Sequence, residues 1–221
     1  MKSFCVIGLG KFGVALATRL AEEGNQVMVI DTDADKVNAL ADIVTDAVIG
    51  DPTNEVVLKS TGVGYYDCAV VCFTGNINDN VLITIMLKEA GVKRVVARAA
   101  NEGHRKVLRH IGADAVVFPE QDMGEKVAFM LTKDNVTEYI EFSGYKLVEL
   151  MVPEEWYGSN LIELDLRRKY GINVIAVTRM SDDDEEIADV SPSPTRVFAS
   201  GEKMSVIGSD RDIDRIIKLL G

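Results

Sequence analysis

The sequence predicts an α/β protein: a doubly wound parallel sheet over residues 1–135, followed by a small α+β domain over residues 136–221. Three observations carry this. Short β-branched runs alternate with helical segments up to about residue 135. A glycine loop, Gly8-Leu9-Gly10-Lys11-Phe12-Gly13, stands between the first strand and the first helix. After Asn135 the alternation gives way to paired strands.

The strand candidates of the first domain are Phe4–Ile7, Gln26–Ile30, Ala47–Gly50, Cys68–Phe73, Arg94–Ala97 and Ala115–Phe118. Helical apolar spacing is found between them in Val14–Glu23, Ala34–Ala41, Asn54–Ser60, Asn78–Ala90, Gly103–Ile111 and Asp122–Leu131. Helices of this length between strands imply right-handed crossovers, and hence a parallel sheet covered on both faces. Gly24, Gly62, Gly91 and Gly112 each follow a helical stretch, where a left-handed C-cap favours glycine. Asp51-Pro52-Thr53-Asn54 and Pro119-Glu120 carry residues that start helices. The run Val81–Leu87 is apolar nearly all round, which suits either a subunit interface or a helix buried in its own domain. Met123, Val127, Met130 and Leu131 form one stripe, suited to a core face or to packing on a partner.

In the second domain, Tyr139–Phe142 and Lys146–Val152 read as paired strands joined through Ser143-Gly144. Asn160–Tyr170 reads as one helix and Ile172–Arg179 as a strand, followed by an acidic turn at 181–186. The proline loop Ser191-Pro192-Ser193-Pro194 leads to a strand, Lys203–Ile207, and a last helix, Ile213–Leu220.

Composition narrows the function classes. The chain has 221 residues and a net charge of −11, with no cluster of Lys and Arg. A grip on a nucleic-acid backbone needs a basic face, so nucleic acid is not expected as a partner. Acidity equally disfavours binding to a lipid surface. No run approaches the roughly 20 apolar residues of a membrane span, and no signal peptide is visible. Cys5, Cys68 and Cys72 fall in apolar runs without a CxxC pair or nearby histidine, as buried thiols of a reduced, cytoplasmic protein do. His104 and His110 share a short basic helix and read as surface positions.

The glycine loop has the context its chemistry requires. An apolar strand runs into Gly8, and an amphipathic helix is expected from Gly13. Gly8 permits the tight turn, Gly10 the approach of phosphates to the backbone, and Gly13 close packing of helix on strand: the Rossmann-type arrangement. The helix N-terminus offers N–H groups and a positive dipole end to a diphosphate. Asp31 closes the second strand, where a carboxylate accepts from ribose hydroxyls, and Thr32 follows it. Asp33 stands where an arginine would favour a 2′-phosphate, so NADP is disfavoured. These residues, with Phe12 in the loop, read an ADP moiety and do not choose among NAD, ADP and ATP. Lys11 is placed to neutralise a further phosphate, or is an ordinary exposed lysine. Asp51, Thr74-Gly75-Asn76, Arg98 and Glu120 follow later strands at the carboxyl edge, as pocket residues or as helix caps and ion-pair partners. The second domain shows no constellation of acid, base and nucleophile. A nucleotide reader is expected, not an enzyme.

These residues resemble the RCK regulatory proteins of the Ktr and Trk potassium uptake systems. The resemblance covers essentially the whole chain. It rests on Val6–Gly13, Ile49-Gly50-Asp51-Pro52-Thr53, Ala97-Arg98-Ala99, Ile111–Asp114 and Pro119-Glu120-Gln121-Asp122-Met123-Gly124. In the second domain Leu161–Arg167 and Lys169-Tyr170-Gly171 carry it. It implies an RCK N domain and an RCK C domain. It also implies homodimers assembling into an octameric ring beneath an integral membrane potassium channel subunit of the Ktr or Trk kind, at the inner face of the plasma membrane. ATP, ADP or NAD(H) would bind at Gly8, Gly10, Lys11, Phe12, Gly13, Asp31, Asp51, Thr74 and Arg98, with Lys11 near the terminal phosphates. Glu120 matches a position associated with a divalent or monovalent metal cation. Cyclic di-AMP, which some members bind, would lie near Leu161, Ile162, Arg167 and Pro192. Pro52 departs from the usual small residue after Asp51. The expected function is the cytosolic regulatory subunit that gates a potassium channel or transporter in response to adenine nucleotides. The alternatives are an NAD-dependent oxidoreductase, which would need an acid/base pair, and a redox-sensing transcription regulator, which would need a basic helix-turn-helix.

Overall fold

A computed structural model describes residues 1–73, 75–133, 135–181 and 183–220. Packing divides the chain into two compact units, Met1–Pro119 and the part from Glu120 onward.

The first unit runs β1 (Ser3–Ile7), α1 (Lys11–Glu22), β2 (Gln26–Asp31), α2 (Ala34–Leu40), β3 (Asp46–Ile49) and α3 (Glu55–Ser60). It continues with β4 (Cys68–Val71), α4 (Ile77–Glu89), β5 (Val95–Arg98), α5 (Glu102–His110) and β6 (Ala115–Val117). The strands form one parallel sheet in the order β3-β2-β1-β4-β5-β6. This is the dinucleotide-fold order, and it reverses direction between β1 and β4. Period-two alternation explains why both faces are dry. Cys5, Ile7, Met28, Ile30, Ala69 and Val71 turn to one face, where Leu58 of α3 and Ile83 and Leu87 of α4 cover them. Val6, Val27, Val29 and Val70 turn to the other, against Ala17 of α1 and Val37 and Leu40 of α2. Gly24, Gly62, Gly91 and Gly112 all have positive φ, as their places after helices anticipate.

Two details differ from expectation, and a third reading is refined. α1 begins at Lys11, so Gly13 lies inside its first turn. His104, expected on the surface, is buried: only 3% of it is exposed, and its Nδ1 accepts from the Ala100 N–H at 3.2 Å. Burial lowers its pKa. Of the apolar run on α4, Ile83, Met86 and Leu87 are buried and Leu82 is open to solvent.

The second unit contains α6 (Pro119–Leu131, from Glu120), β7 (Val136–Phe142), β8 (Tyr145–Met151), α7 (Leu161–Leu164) and α8 (Leu166–Tyr170). β9 (Asn173–Met180), β10 (Glu186–Val190), β11 (Lys203–Ser209) and α9 (Asp210–Leu220) follow. The sheet order is β10-β9-β11-β8-β7, with every pairing antiparallel. α9 covers it with Ile213, Ile216 and Ile217, spaced to share one helix face. The segment 120–135 was expected with the first domain, yet Phe129 and Met130 of α6 pack on the core of Val148, Leu150 and Met204.

The helix expected over Asn160–Tyr170 is two. Asp165 adopts φ 45°, ψ 48°, a left-handed conformation that stops α7 and starts α8. A capping box of Asn160 and Glu163 starts α7. β10 was not anticipated at all. It is an edge strand exposed along its whole length, so it carries no buried alternation to read.

Candidate nucleotide-binding site

The carboxyl ends of β1 and β4 frame a crevice at the point where strand order reverses, and the glycine loop lies over it. Gly8 has φ +95°, a conformation that L side chains rarely adopt, and its N–H donates to the Ile30 carbonyl at 2.9 Å. Gly13 packs so tightly that an added Cβ would sit 2.0 Å from the Gly8 carbonyl oxygen. Above Gly10, by contrast, a Cβ would meet nothing within 4 Å. The loop is therefore closed against the protein at Gly8 and Gly13 and open to a ligand at Gly10.

Helix capping points the same way. Asp33, Asn54, Asn76 and Asn101 each accept backbone N–H bonds at the starts of α2, α3, α4 and α5. Gly10 supplies no such cap to α1. The N–H groups of that first turn have neither an intrahelical acceptor nor a capping side chain.

Asp31 ties the loop to β2. Its Oδ2 accepts from the Leu9 N–H at 2.5 Å and its Oδ1 from the Asp33 N–H at 2.9 Å. Thr32, between them, is exposed. Asp33 caps α2 and pairs with Lys36, whose side chain and backbone N–H hold the Asp33 carboxyl below its usual pKa. On the far side, the Arg98 guanidinium lies 5.7 Å from the centre of the Phe12 ring, and its Nη1 donates to the Cys72 carbonyl at 3.5 Å. One crevice thus gathers Gly8, Gly10, Phe12, Gly13, Asp31 and Arg98. Lys11 is the exposed first residue of α1.

Other predicted residues have local duties. Asp51 Oδ1 accepts from the Thr53 N–H at 2.9 Å and the Thr53 hydroxyl at 2.7 Å. Those bonds, hydroxyl first, lower the Asp51 pKa. Asn76 caps α4 and Gly75 lies beside the Phe73 ring, while Thr74 lies outside the described residues. Glu120 is the exposed second residue of α6. Among the described residues no group of three His, Cys, Asp or Glu side chains is placed to hold a metal ion. The thiols of Cys5 and Cys72 are pushed up by burial, that of Cys72 to about 12, and Cys68 is raised for the same reason.

In the second unit Leu161 and Arg167 line a groove of about 390 Å³ with Leu166, Ile172 and Pro194. Ile162 is exposed beside it, its N–H donating to the Pro194 carbonyl at 3.3 Å. Pro192 is buried, so Pro194 is the proline that faces the groove.

One polar residue at the crevice went unread in the sequence. Asn80 sits on α4 with no exposed surface, bonded to the carbonyls of Phe73, past the end of β4, and of Arg98, the last residue of β5. Its signal was an amide inside an otherwise apolar helix.

Residues 4–119 match the TrkA-N domain and residues 147–221 the TrkA-C domain. The chain is 44% identical to the Ktr system potassium uptake protein C of Bacillus subtilis (strain 168) over 218 residues, 98% of this chain and 96% of that one. It is 36% identical to the Ktr system potassium uptake protein A of the same organism, over 97% of this chain and 95% of that one. Among solved structures, the GsuK channel bound to NAD covers 99% of this chain with a TM-score of 0.52 and 23% identity. This chain spans 39% of that channel, and the likeness is one of fold.

Proposed function

The chain belongs to the TrkA-N/TrkA-C domain family, and from that premise we propose that it is the cytosolic regulatory subunit of a potassium uptake system, set by an adenine nucleotide. Two relatives that match nearly end to end are Ktr system potassium uptake proteins, which supports the assignment to potassium transport. No helix among the described residues is long and apolar enough to cross a membrane; the near end-to-end match to Ktr system proteins supports a pore on a separate membrane subunit. The two family matches, 4–119 and 147–221, leave the segment after β6 as the connection between the nucleotide-binding domain and the second domain.

The observation that carries nucleotide binding is the uncapped start of α1 beneath the open face of Gly10. A diphosphate fits there, because the N–H groups and the dipole of α1 complement its charge. Asp31, which ties the loop to the end of β2, is the residue assigned to the ribose. ATP, ADP and NAD(H) all carry that moiety. The bound nucleotide is a signal and not a reactant. The nearest thiols are held protonated by burial, and neither His104 nor Asp31 is paired with a nucleophile.

A ligand moves a two-state assembly only through unequal affinity for the two states. Lys11, at the start of α1, is the group that meets a third phosphate and so separates ATP from ADP. In an octameric ring of homodimers, a bias of about 1 kcal/mol per site is enough to swing the equilibrium. Glu120 is the acidic group for an accompanying cation, and the Leu161–Arg167 groove is the region for cyclic di-AMP. Calorimetric titration of Lys11→Ala tests the discrimination. The ATP-over-ADP preference falls by about tenfold, equal to roughly 1.4 kcal/mol. An unchanged preference removes Lys11 from the mechanism.

A further inference from the structure

Asn80 is fully buried on α4, and Thr84, one turn later, is fully buried beside it. The two N–H bonds of its side-chain amide are both used. Nδ2 donates to the Phe73 carbonyl at 2.6 Å and to the Arg98 carbonyl at 3.0 Å. Its Oδ1 accepts from the Thr84 hydroxyl at 3.4 Å. An amide buried without partners costs several times what a typical bond contributes, so this one is held by both carbonyls.

The place of those carbonyls gives the residue its meaning. β4 and β5 are parallel neighbours whose register reaches Val71 opposite Ala97. Beyond that pair the β4–β5 ladder ends, while Arg98 still pairs with Val117 of β6. Phe73 follows the end of β4 and Arg98 is the last residue of β5, both just past the last β4–β5 pair at the carboxyl edge of the sheet. One amide ties the two strand ends where the β4–β5 pairing stops. Arg98 is also the residue whose guanidinium reaches across to Phe12 in the first turn of α1.

We propose that Asn80 is a positioning residue for the nucleotide: by clamping Phe73 to Arg98 it fixes the carboxyl end of β4 against that of β5, beside the crevice, and so aims the Arg98 guanidinium at the phosphates. This rests on the nucleotide-binding reading above. Asn80 touches no ligand. It acts through Arg98, so its loss is felt at the phosphate end and not at the adenosine end.

The test is titration of the full chain with ADP and, by displacement, with adenosine, for the native protein, Asn80→Ala and Asn80→Ser. The native protein binds ADP. Asn80→Ala loses ADP affinity by about tenfold while adenosine affinity stays within about twofold, and Asn80→Ser, which keeps one donor, lies between. A merely structural role lowers both affinities by the same factor, and that result overturns the proposal. If Asn80→Ala does not fold, Thr84→Val strips one bond from the same amide and keeps its shape. A fall of about threefold for ADP alone is then expected, and an unchanged ratio overturns the proposal. A native chain that binds neither ligand overturns the nucleotide reading itself. Native binding with an unshifted ADP-to-adenosine ratio overturns the role of Asn80 alone.

Discussion

Gly13 and Gly10 belong to one loop and have opposite tasks. Gly13 has no room for a methyl group, because its Cβ would lie 2.0 Å from the Gly8 carbonyl oxygen. Gly13→Ala is expected to destabilise the protein by about 2–3 kcal/mol, since the loop or α1 must move to relieve the overlap. Gly10→Ala has room in the unliganded protein, so its melting temperature stays near native while its methyl group occupies the phosphate approach. Melting curves and nucleotide titrations on the pair separate the two tasks. Equal losses of stability from both would contradict the division. The sequence displayed these glycines openly because a strand, a loop and a helix must meet at fixed spacing. Asn80 and His104 were hidden for a physical reason: their partners are backbone groups distant in sequence or in an adjoining turn, and no pattern marks them.

The elements that were legible are those with a buried face. β1, β2 and β4 are covered on both sides and read as apolar runs, and α9 shows its buried isoleucines at helical spacing. β10 has no such face, and the break at Asp165 depends on one residue's backbone angle. What holds the β10 end of the second unit is an ion-pair cluster. Glu202, only 5% exposed, accepts from Arg196 at 2.7 and 3.0 Å and from the Ala199 N–H at 2.9 Å. Arg196 also meets Asp189 of β10 at 3.1 Å. Burial opposes the Glu202 charge, but the Arg196 pair and the Ala199 N–H outweigh it, and the carboxyl is held below its usual pKa. Arg196→Met leaves that carboxylate buried without its cation and costs about 3 kcal/mol at neutral pH. A carboxyl with a lowered folded-state pKa stabilises above its unfolded pKa, and that stability is lost as pH falls through the folded value. Native and variant melting temperatures therefore converge in acid below the ordinary carboxylate range. A gap that persists there excludes this pair as the source.

At the scale of the whole molecule, the chain leaves apolar surface uncovered. Met123, Val127 and Leu131 of α6 are 58%, 41% and 78% exposed, and α6 buries no residue fully within the chain. A subunit that assembles with its own copies covers such a stripe. Sedimentation of the native chain is expected to give a dimer or a larger ring, and Met123→Glu with Leu131→Glu to shift it toward monomer. A native monomer at working concentrations would contradict assembly through this helix. Cys5, Cys68 and Cys72 are buried, as their apolar runs anticipated. Which surfaces meet other subunits was not legible, because an apolar stripe looks alike in a core and in an interface.

The central claim is that the glycine loop receives a nucleotide as a signal. Titrating the purified chain with ATP and with ADP, and then recovering the nucleotide, tests it most directly. The account predicts one saturable site per chain, tighter for ATP than for ADP, abolished by Gly10→Ala, with the nucleotide recovered unchanged. Absence of binding at millimolar ATP and ADP, or steady turnover of the bound nucleotide, would contradict it.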